Sequence, residues 1–197
     1  HQKVKVVDLF CGIGGLSHGM KRKGFNIIAG FDIDDSRKYS YESNNDSTFF
    51  KEDIKQVKGE RVSKLFGKSG VKVLAGCAPC QPFSSYAFKR KEKDKNKYDL
   101  LYEFGRLVEE VLPDIVTMEN VAQILAFKEK PVLHDFVETL KRNGYHVCVN
   151  KVFCPDYGIP QTRTRLVLLA SILGPIELIP PTHSKENYVT VFDTIGH

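Results

Sequence analysis

The sequence predicts an α/β protein with a doubly wound, mostly parallel sheet, and three observations support this prediction. Strand-like apolar runs alternate along the chain with segments in which apolar residues recur at helical spacing. Helical segments end at residues that stop helices, as at Gly24, Pro113 and Asn143-Gly144. Polar, glycine-rich or cysteine-rich stretches follow the predicted strands, where sheets of this class bind ligands.

The elements can be placed in order along the chain. Apolar, β-branched runs predict strands over residues 4–10, 27–33, 71–76, 114–118, 145–153 and 165–171. Helices are predicted over residues 16–23, 35–43, 99–111 and 132–142. The helix at 99–111 is the clearest, since Leu101, Phe104, Leu107 and Val108 share one face.

The unusual residues lie directly after predicted strands. The glycine turn 11–15 follows the first strand, and Asp32 ends the second. The stretch Cys77-Ala-Pro-Cys80 follows the third strong strand, and Glu119-Asn120 follows the next one. Since the carboxyl ends of parallel strands meet at one edge of a sheet, we predict one shared ligand site there.

Length and composition exclude several classes of protein. A chain of 197 residues, 42% hydrophobic and 27% charged, has the composition of one globular domain rather than a disordered chain. Its longest apolar run, 166–173, is far shorter than the roughly 20 residues that span a bilayer, and no signal peptide opens the chain. Five scattered cysteines predict a reduced, intracellular protein with free thiols.

The sequence changes character after Gly174. Gly174-Pro175 and Pro180-Pro181 are typical of loops, and residues 188–195 fit either one strand or a short helix. We therefore divide the chain into a domain of residues 1–173 and a connecting segment of residues 174–197.

The positive charge is concentrated in one stretch. The net charge is +5, from 29 basic and 24 acidic residues. Residues 89–97 contain six basic and two acidic residues, a local charge of +4. Such a run is either a solvated loop or a contact for a polyanion, and charge alone favours the solvated loop.

The first turn predicts a nucleotide-like cofactor. Gly12 and Gly14 let the backbone approach a ligand closely, and Asp32 ends the next strand, where an acid accepts hydrogen bonds from ribose hydroxyls. A dinucleotide fingerprint would have a third glycine where Ser17 stands, so a pyrophosphate is less favoured. S-adenosylmethionine, with adenosine but no phosphate, fits this departure, whereas a simple tight turn is the alternative.

Three interpretations of Cys77 and Cys80 compete. A redox pair or half a zinc site is disfavoured by Pro79 and Pro82 and by the absence of a second ligand pair at suitable spacing. A buried structural thiol suits Cys77, at a strand end. A nucleophile suits Cys80, which lies between prolines in a loop.

Several motifs together give the chain a resemblance to the catalytic part of the C5-cytosine-specific DNA methyltransferases. They occur in the order and spacing of that family, from residue 8 to about residue 171. The matching stretches are DLFCGIGGLS (8–17), FDID (31–34), EDI (52–54), APCQPFS (78–84), MENV (118–121) and DYGIPQTRTR (156–165). PPTHS and VTVFDTIG (189–196) resemble the stretch that leads into the family's target-recognition domain. The resemblance implies a Rossmann-like, S-adenosylmethionine-dependent methyltransferase fold.

The resemblance also implies a catalytic set. Cys80 corresponds to the thiolate that adds to C6 of cytosine, and Glu119 to the residue that protonates or hydrogen-bonds N3. Arg163 and Arg165 correspond to the arginines that hold the cytosine O2 and position the other two. Without the resemblance, the residues also permit purely structural roles, in which Glu119 and Asn120 begin a helix and both arginines point to solvent. The family acts on a base flipped out of duplex DNA and uses no metal in this step.

Further residues follow from the same resemblance. The implied cofactor-binding residues are Phe10, Gly12, Gly14, Asp32, Ile33, Asp53, Ile54, Pro79 and Leu100. The implied DNA-binding residues are Ser84, Ser85, Lys89, Arg90 and Lys91. Two departures stand out: many members have tryptophan where Ile33 stands, and an Arg-Gly-Asn/Thr-Leu pattern where residues 97–100 read Lys-Tyr-Asp-Leu.

The family's target-recognition domain and closing C-terminal segment have no counterpart in the 197 residues. The chain is then expected to be one subunit of a split enzyme with a second polypeptide, a fragment, or a degenerate relative. We expect duplex DNA as the partner, no membrane, and a cytoplasmic or nucleoid-associated setting, as in restriction-modification. The alternatives are an RNA (tRNA) cytosine-5 methyltransferase, a non-catalytic binding module and a nicotinamide-dependent oxidoreductase.

Overall fold

The structure of the chain is a computed structural model that describes residues 3–79, 99–126 and 131–196. Its strands are β1 (Val4–Leu9), β2 (Asn26–Asp32), β3 (Thr48–Lys51), β4 (Val71–Gly76), β5 (Ile115–Val121), β6 (His146–Phe153) and β7 (Thr164–Ser171). Its helices are α1 (Gly15–Arg22), α2 (Lys38–Asn45), α3 (Gly59–Phe66), α4 (Asp99–Val111), α5 (Val132–Arg142) and α6 (Val191–Ile195). Short 3₁₀ turns cover Asp35–Arg37, Ala122–Ala126 and Cys154–Tyr157.

The seven strands form one sheet in the order β3-β2-β1-β4-β5-β7-β6. The pairs from β3 to β5 are parallel, while β7 runs antiparallel to both β5 and β6. The chain leaves β1 toward β2 and β3, then returns to place β4 on the other side of β1. This reversal creates a switch point at the carboxyl ends of β1 and β4, where ligands bind in open α/β sheets.

Helices cover both faces of the sheet, as near-continuous apolar strands require. The larger core is on the side of α3, α4 and α5, and it contains Leu9, Phe31, Leu74, Phe104 and Met118. The smaller core lies under α1, where Leu16 and Met20 pack on Val6, Ile27 and Val73. Apolar burial on both faces therefore fixes the positions of the strand ends that carry the site.

The predicted fold class is confirmed, as is the mostly parallel sheet. The strand predicted at 71–76 and the helices predicted at 99–111 and 132–142 have the predicted bounds. The other predicted strands are found within one to three residues of their predicted ends. Periodicity predicted these elements well because their apolar faces are long and regular.

Three local predictions were wrong. The segment predicted as one helix at 35–43 is a 3₁₀ turn, Asp35–Arg37, followed by α2. The strand predicted at 114–118 extends to Val121, because antiparallel pairing with β7 continues it. Glu119 and Asn120 therefore lie within β5 rather than after it, which excludes the alternative that they begin a helix. Residues 188–195, which fitted either one strand or a short helix, contain the short helix Val191–Ile195, so the helical alternative is confirmed.

Two elements had no sequence prediction. β3 has four residues, too few to show alternation, and is defined by its pairing with β2. α3 begins at a glycine, which disfavours helix, but Glu110 of α4 accepts a hydrogen bond from the Gly59 amide at 2.6 Å. Tertiary contacts therefore form both elements.

Candidate functional site

The turn after β1 has a backbone that few residues can adopt. Phe10 has φ of 58°, which ends the strand at Leu9, and Gly12 and Gly14 have φ of 55° and 89°. A Cβ on Gly14 would lie 2.2 Å from Nδ2 of Asn45, so the turn requires glycine there both for its conformation and for space. The predicted Gly12 and Gly14 thus shape a tight turn at the switch point, in which Gly14 is buried and Gly12 is partly buried.

Asp32 is oriented by the backbone of two neighbouring segments. Its Oδ2 accepts a hydrogen bond from the Gly12 amide and its Oδ1 one from the Asp34 amide, both at 2.9 Å. Arg37 stands 3.9 Å from Oδ1. Each carboxylate oxygen keeps one acceptor site, so the arrangement matches a pair of ribose hydroxyls.

Exposed apolar side chains flank this carboxylate. Ile13 is 64% exposed and Ile33 is 67% exposed. Phe10 is partly buried and contacts the ring of Phe104 edge-on, with centroids 6.5 Å apart. An acidic group between apolar surfaces suits a nucleoside, whose sugar hydroxyls need acceptors and whose base needs apolar cover. The residues therefore fit the adenosine part of S-adenosylmethionine.

The other predicted cofactor residues lie on three neighbouring segments. Asp53 and Ile54 begin the turn after β3, where Asp53 is partly buried and Ile54 is 3% exposed, in the larger core. Pro79 is exposed three residues after β4, and Leu100 is partly buried in the first turn of α4. The parallel pairing of β3 with β2, and of β4 with β1, brings the segments after β3 and β4 to the carboxyl edge of the sheet.

Glu119 and Arg165 form an ion pair across β5 and β7. Nε of Arg165 lies 2.7 Å from Oε1 of Glu119, and both side chains are mostly shielded. In the antiparallel register Glu119 of β5 pairs with Val167 of β7. Arg165 lies two residues before Val167 on β7, so its side chain is on the same face of the sheet as that of Glu119. The alternative in which Arg165 points into solvent is therefore wrong.

The surroundings of Glu119 act in opposite directions on its proton affinity. Burial raises the pKa of Glu119, while a hydrogen bond with Cys77 and the charge of Arg163 lower it. Arg163 precedes β7 and is exposed, held by a hydrogen bond from the Cys154 amide to its carbonyl oxygen. The ion pair with Arg165 also favours the charged form. Glu119 is thus a partly shielded carboxyl suited to exchanging a proton.

Cys77 fits the predicted structural thiol. Burial raises the pKa of Cys77, and the negative charge of Asp8 raises it further. A raised pKa keeps the sulfur protonated and weakly reactive, so Cys77 is a poor nucleophile.

Asn120 is a site residue for which sequence analysis assigned no role. Its Nδ2 donates to the carbonyl oxygen of Ala78 at 3.2 Å, and it is 4% exposed. It thereby ties β5 to the stretch that leads from β4 into the predicted nucleophile loop. The sequence places Asn120 in the MENV motif but does not predict this contact, since its partner is 42 residues away.

Several predicted residues lie outside the described part of the chain. They are Cys80, Ser84, Ser85, Lys89, Arg90 and Lys91, together with the rest of the basic stretch 89–97. Their assignments as nucleophile and as DNA contacts stay predictions. Among the described residues, no group of three or more His, Cys, Asp or Glu side chains is arranged to hold a metal ion. Within that same part of the chain, the helices are too short or too polar to cross a membrane.

The segment after β7 packs back on the turn that precedes the arginines. The carbonyl oxygen of Asp156 accepts from the amides of Thr182 and His183, at 2.9 and 3.0 Å. The hydroxyl of Tyr188 donates to Oδ1 of Asp156 at 2.5 Å, and the ring of His183 covers Gly158. The division at residue 174 stays a prediction, but these hydrogen bonds tie residues 179–188 to the arginine-bearing loop.

We expect Tyr188→Phe to loosen this segment without unfolding the protein. The variant keeps the ring, which contacts Phe153 edge-on, and removes only the hydroxyl that donates to Asp156. Hydrogen exchange at the amides of Thr182 and His183 should accelerate several-fold because local opening becomes easier. Tyr39→Phe, at a side chain 82% exposed on α2, is the control and should leave both amides unchanged. Equal exchange in wild type and Tyr188→Phe would contradict the expectation.

Asp8 is a buried carboxyl beneath the glycine turn. It is 1% exposed, Ser17 donates to its Oδ2 at 2.6 Å, and its Oδ1 has no hydrogen-bond partner among the described residues. Burial raises the pKa of Asp8 to about 6, against an ordinary value of 3.8, and the Ser17 hydrogen bond opposes this. The folded protein therefore binds more protons than the unfolded chain between these two pH values.

Stability should fall as pH rises from about 4 to about 6. Folding favours protonated Asp8, so its contribution is complete below pH 3.8 and is lost by pH 6, about 3 kcal/mol in all. Urea unfolding of wild type and Asp8→Asn at several pH values measures this contribution. Other titrating groups act equally on both proteins, so they cancel in the difference between the two free energies of unfolding. Ser17→Ala removes a hydrogen bond that lowers the pKa of Asp8 in the folded protein, so it should extend the upper end of this pH range and leave the lower end unchanged. Parallel stability curves for wild type and Asp8→Asn would show that Asp8 does not titrate there.

The switch-point turn and the oriented Asp32 are typical of the Rossmann-like class of α/β folds. The sequence matches the family of C-5 cytosine-specific DNA methylases over residues 4–193. This chain belongs to that family. It is 49% identical over 191 residues to the Type II methylase M.HgiDII of Herpetosiphon aurantiacus, covering 97% of this chain and 53% of that protein. It is 31% identical to the Type II methyltransferase M.XorII of Xanthomonas oryzae, covering 96% of this chain and 45% of that protein.

Solved structures agree with the fold. A protein described as a DNA modification methyltransferase of an E. coli prophage superposes with a TM-score of 0.80 at 27% identity, covering 98% of this chain and 54% of that one. The Dnmt2 methyltransferase of S. pombe superposes with a TM-score of 0.71 at 19% identity, covering 90% of this chain and 52% of that one. At this identity the likeness supports the fold alone. The chain thus spans about half the length of the relatives it matches.

Proposed function

We propose that the chain supplies the cofactor-binding and nucleophile-bearing part of an enzyme that transfers a methyl group from S-adenosylmethionine to C5 of cytosine in DNA. The observation that carries the proposal is the Glu119–Arg165 ion pair, held on adjacent strands at 2.7 Å beside the strand that leads toward Cys80. Family membership and the names of the Type II relatives support DNA as the substrate.

Cys80 would act first. As a thiolate, its Sγ forms a bond to C6 of cytosine, and the electrons of the C5–C6 double bond make C5 nucleophilic. Glu119 gives a proton or a hydrogen bond to N3, which relieves the charge that develops on the ring. Once C5 carries the methyl group, water takes the C5 proton and the C5–H electrons re-form the C5–C6 double bond. The Sγ–C6 bond then breaks with its electrons on sulfur, so Cys80 returns as thiolate, and a proton given to N3 returns to Glu119. A working thiolate needs a reducing setting, so we place the reaction inside the cell.

Other residues would bind and orient the cytosine, the cofactor and the DNA. Arg165 holds Glu119 and, with Arg163, offers donors to the cytosine O2. Asp32 would accept from the ribose hydroxyls, and Ile33 and Phe10 would cover the adenine. S-adenosylmethionine, when bound, supplies an electrophilic methyl group. The target base must leave the duplex to reach these residues, and the basic stretch 89–97 would contact the DNA backbone.

The proposal includes a second region that recognises the DNA sequence. The family match covers almost all of this chain but only about half of each relative, so the remaining half of the relatives has no counterpart in the 197 residues. We propose that a further polypeptide, or a further part of the same one, supplies it.

Covalent capture tests the proposal. The chain is incubated with S-adenosylmethionine and duplex DNA containing 5-fluorocytosine in many sequence contexts, alone and with the portion of M.HgiDII that this chain does not match. Fluorine at C5 cannot leave as a proton does, so the Sγ–C6 bond persists and an adduct of higher mass is expected. An adduct only with the added portion would support a separate recognition region. No adduct under either condition, despite cofactor binding, would overturn the proposal in favour of a non-catalytic module.

A further inference from the structure

The turn that carries Asp53 and Ile54 is held from outside by one arginine of α4. Nη2 of Arg106 donates to the carbonyl oxygens of Ile54 and Val57, both at 3.0 Å. The turn has few bonds of its own: the Gln56 amide donates to the Asp53 carbonyl oxygen at 2.8 Å, and the Val57 amide to that of Ile54 at 3.2 Å. Arg106 thus supplies two of the bonds that fix the backbone of this turn.

The guanidinium is itself locked by two carboxylates of its own helix. Nε lies 2.7 Å from Glu103 and Nη1 lies 2.8 Å from Glu110. Glu110 in turn accepts from the amide of Gly59, where a Cβ would lie 2.3 Å from its side chain. Two carboxylates therefore fix the direction of the Nη2 group that meets the turn. Only a planar, forked donor can serve four acceptors at once, so lysine cannot replace Arg106 fully.

Apolar burial holds the same turn independently. Ile54 is 3% exposed and Val57 is 1% exposed, and both lie in the larger core. Losing the Arg106 contacts should therefore leave the turn attached to the core while freeing its backbone to shift. Asp53 stands at the start of this turn, where its Oδ1 accepts from the Lys55 amide at 3.0 Å.

We propose that Arg106 is a positioning residue for recognition of the adenine base. It holds the turn so that the Asp53 carboxylate stands at a fixed place beside the cofactor site. This inference rests on the proposed function. It also rests on the family resemblance, which implies that Asp53 and Ile54 bind the cofactor, near its adenine. A carboxylate only accepts hydrogen bonds, so it favours the 6-amino group of adenine over the 6-oxo group of hypoxanthine. Arg106 therefore acts on selectivity through the turn, without touching the ligand.

The experiment measures binding of S-adenosylmethionine, adenosine and inosine to the 197-residue chain by calorimetry. We expect Arg106→Lys to weaken adenosine binding about tenfold, the equivalent of one hydrogen bond to a charged group. Inosine should be affected less, so the preference for adenosine over inosine should fall. Any unfolded fraction lowers both apparent affinities equally, so this ratio reports positioning rather than stability.

Arg142→Lys is the matched control. Arg142, the last residue of α5, pairs with Glu109 of α4 at 3.3 Å but is 70% exposed, and the substitution keeps its charge. It should bind all three ligands as wild type does. If the ratio of adenosine affinity to inosine affinity were the same in Arg106→Lys as in wild type, the inference would be overturned, whatever the melting temperature of the variant. In that case, binding of S-adenosylmethionine by wild type would leave the proposed function standing. A folded wild-type chain that bound no S-adenosylmethionine would instead overturn the proposed function.

Discussion

The Cys80→Ser variant should lose methyl transfer by at least about a thousandfold, as removal of an enzyme nucleophile does. A free cysteine thiol has a pKa of about 8.5, and nearby positive charge lowers it, so a thiolate is available near neutral pH. A serine hydroxyl is essentially never ionised there and cannot add to C6 of cytosine. The variant should also form no adduct with 5-fluorocytosine DNA, since that adduct contains the Sγ–C6 bond.

Methyl transfer from radiolabelled S-adenosylmethionine measures the loss, with the unmatched portion of M.HgiDII supplied if wild type requires it. Cys148→Ser is the control, because Cys148 pairs with Leu169 in the middle of β6 and β7, away from the carboxyl edge. It should keep activity and adduct formation. If Cys80→Ser formed the adduct and Cys148→Ser did not, the nucleophile would be misassigned. Cofactor binding by Cys80→Ser should match that of wild type, since Asp32 and the glycine turn are intact.

Replacing Glu119 by glutamine should reduce methyl transfer by about 10²–10⁴-fold, the usual contribution of a positioned acid or base. Glutamine keeps the shape and can donate a hydrogen bond, but it cannot give up a proton to N3. Adduct formation should slow with methyl transfer, because N3 stabilisation assists attack by Cys80. Glu109→Gln is the control, since Glu109 is exposed and pairs with Arg142 on the surface of α4 and α5.

The pH dependence of methyl transfer separates a proton donor from a merely structural carboxyl. Glu119 acts in its protonated form, so activity should fall as pH rises through its pKa, which burial raises. Removing the cation of Arg165, 2.7 Å away, disfavours the carboxylate and should raise that pKa further. Arg165→Gln should therefore lower the maximal rate and move the falling limb to higher pH. Glu119→Gln should abolish this fall in activity at high pH. If the fall were unchanged in both variants, Glu119 would not be the proton donor.

Long, regular elements were predictable because their hydrophobic pattern reflects burial directly. The helix Asp99–Val111 and the strand Val71–Gly76 bury faces that the sequence displays. β3 and α3 were not predictable, since β3 depends on its pairing with β2 and α3 on the acceptor Glu110. The extension of β5 through Glu119 depends likewise on β7, more than forty residues later.

Part of the candidate site was also readable from local sequence. Gly12, Gly14 and Asp32 could be selected from the sequence because their roles are local. The turn needs residues that adopt positive φ, and an acid at the end of a strand is in place to accept hydrogen bonds. The contacts of Asn120 and Arg106 could not be selected, because their partners are distant in the chain. Asn120 lies in the MENV motif, but the motif does not indicate which residue it contacts, and Arg106 lies in none of the motifs.

The sequence by itself determined the fold class, the order of the motifs and the chemical identity of the acid, arginine and thiol side chains. These features depend on residue type, periodicity and spacing, which are local and one-dimensional. Tertiary structure decided that Arg165 faces Glu119 and that Cys77 is a shielded thiol. It also decided that Thr182, His183 and Tyr188 return to Asp156. The physical reason is that strand register, burial and long-range hydrogen bonds arise only when distant segments meet.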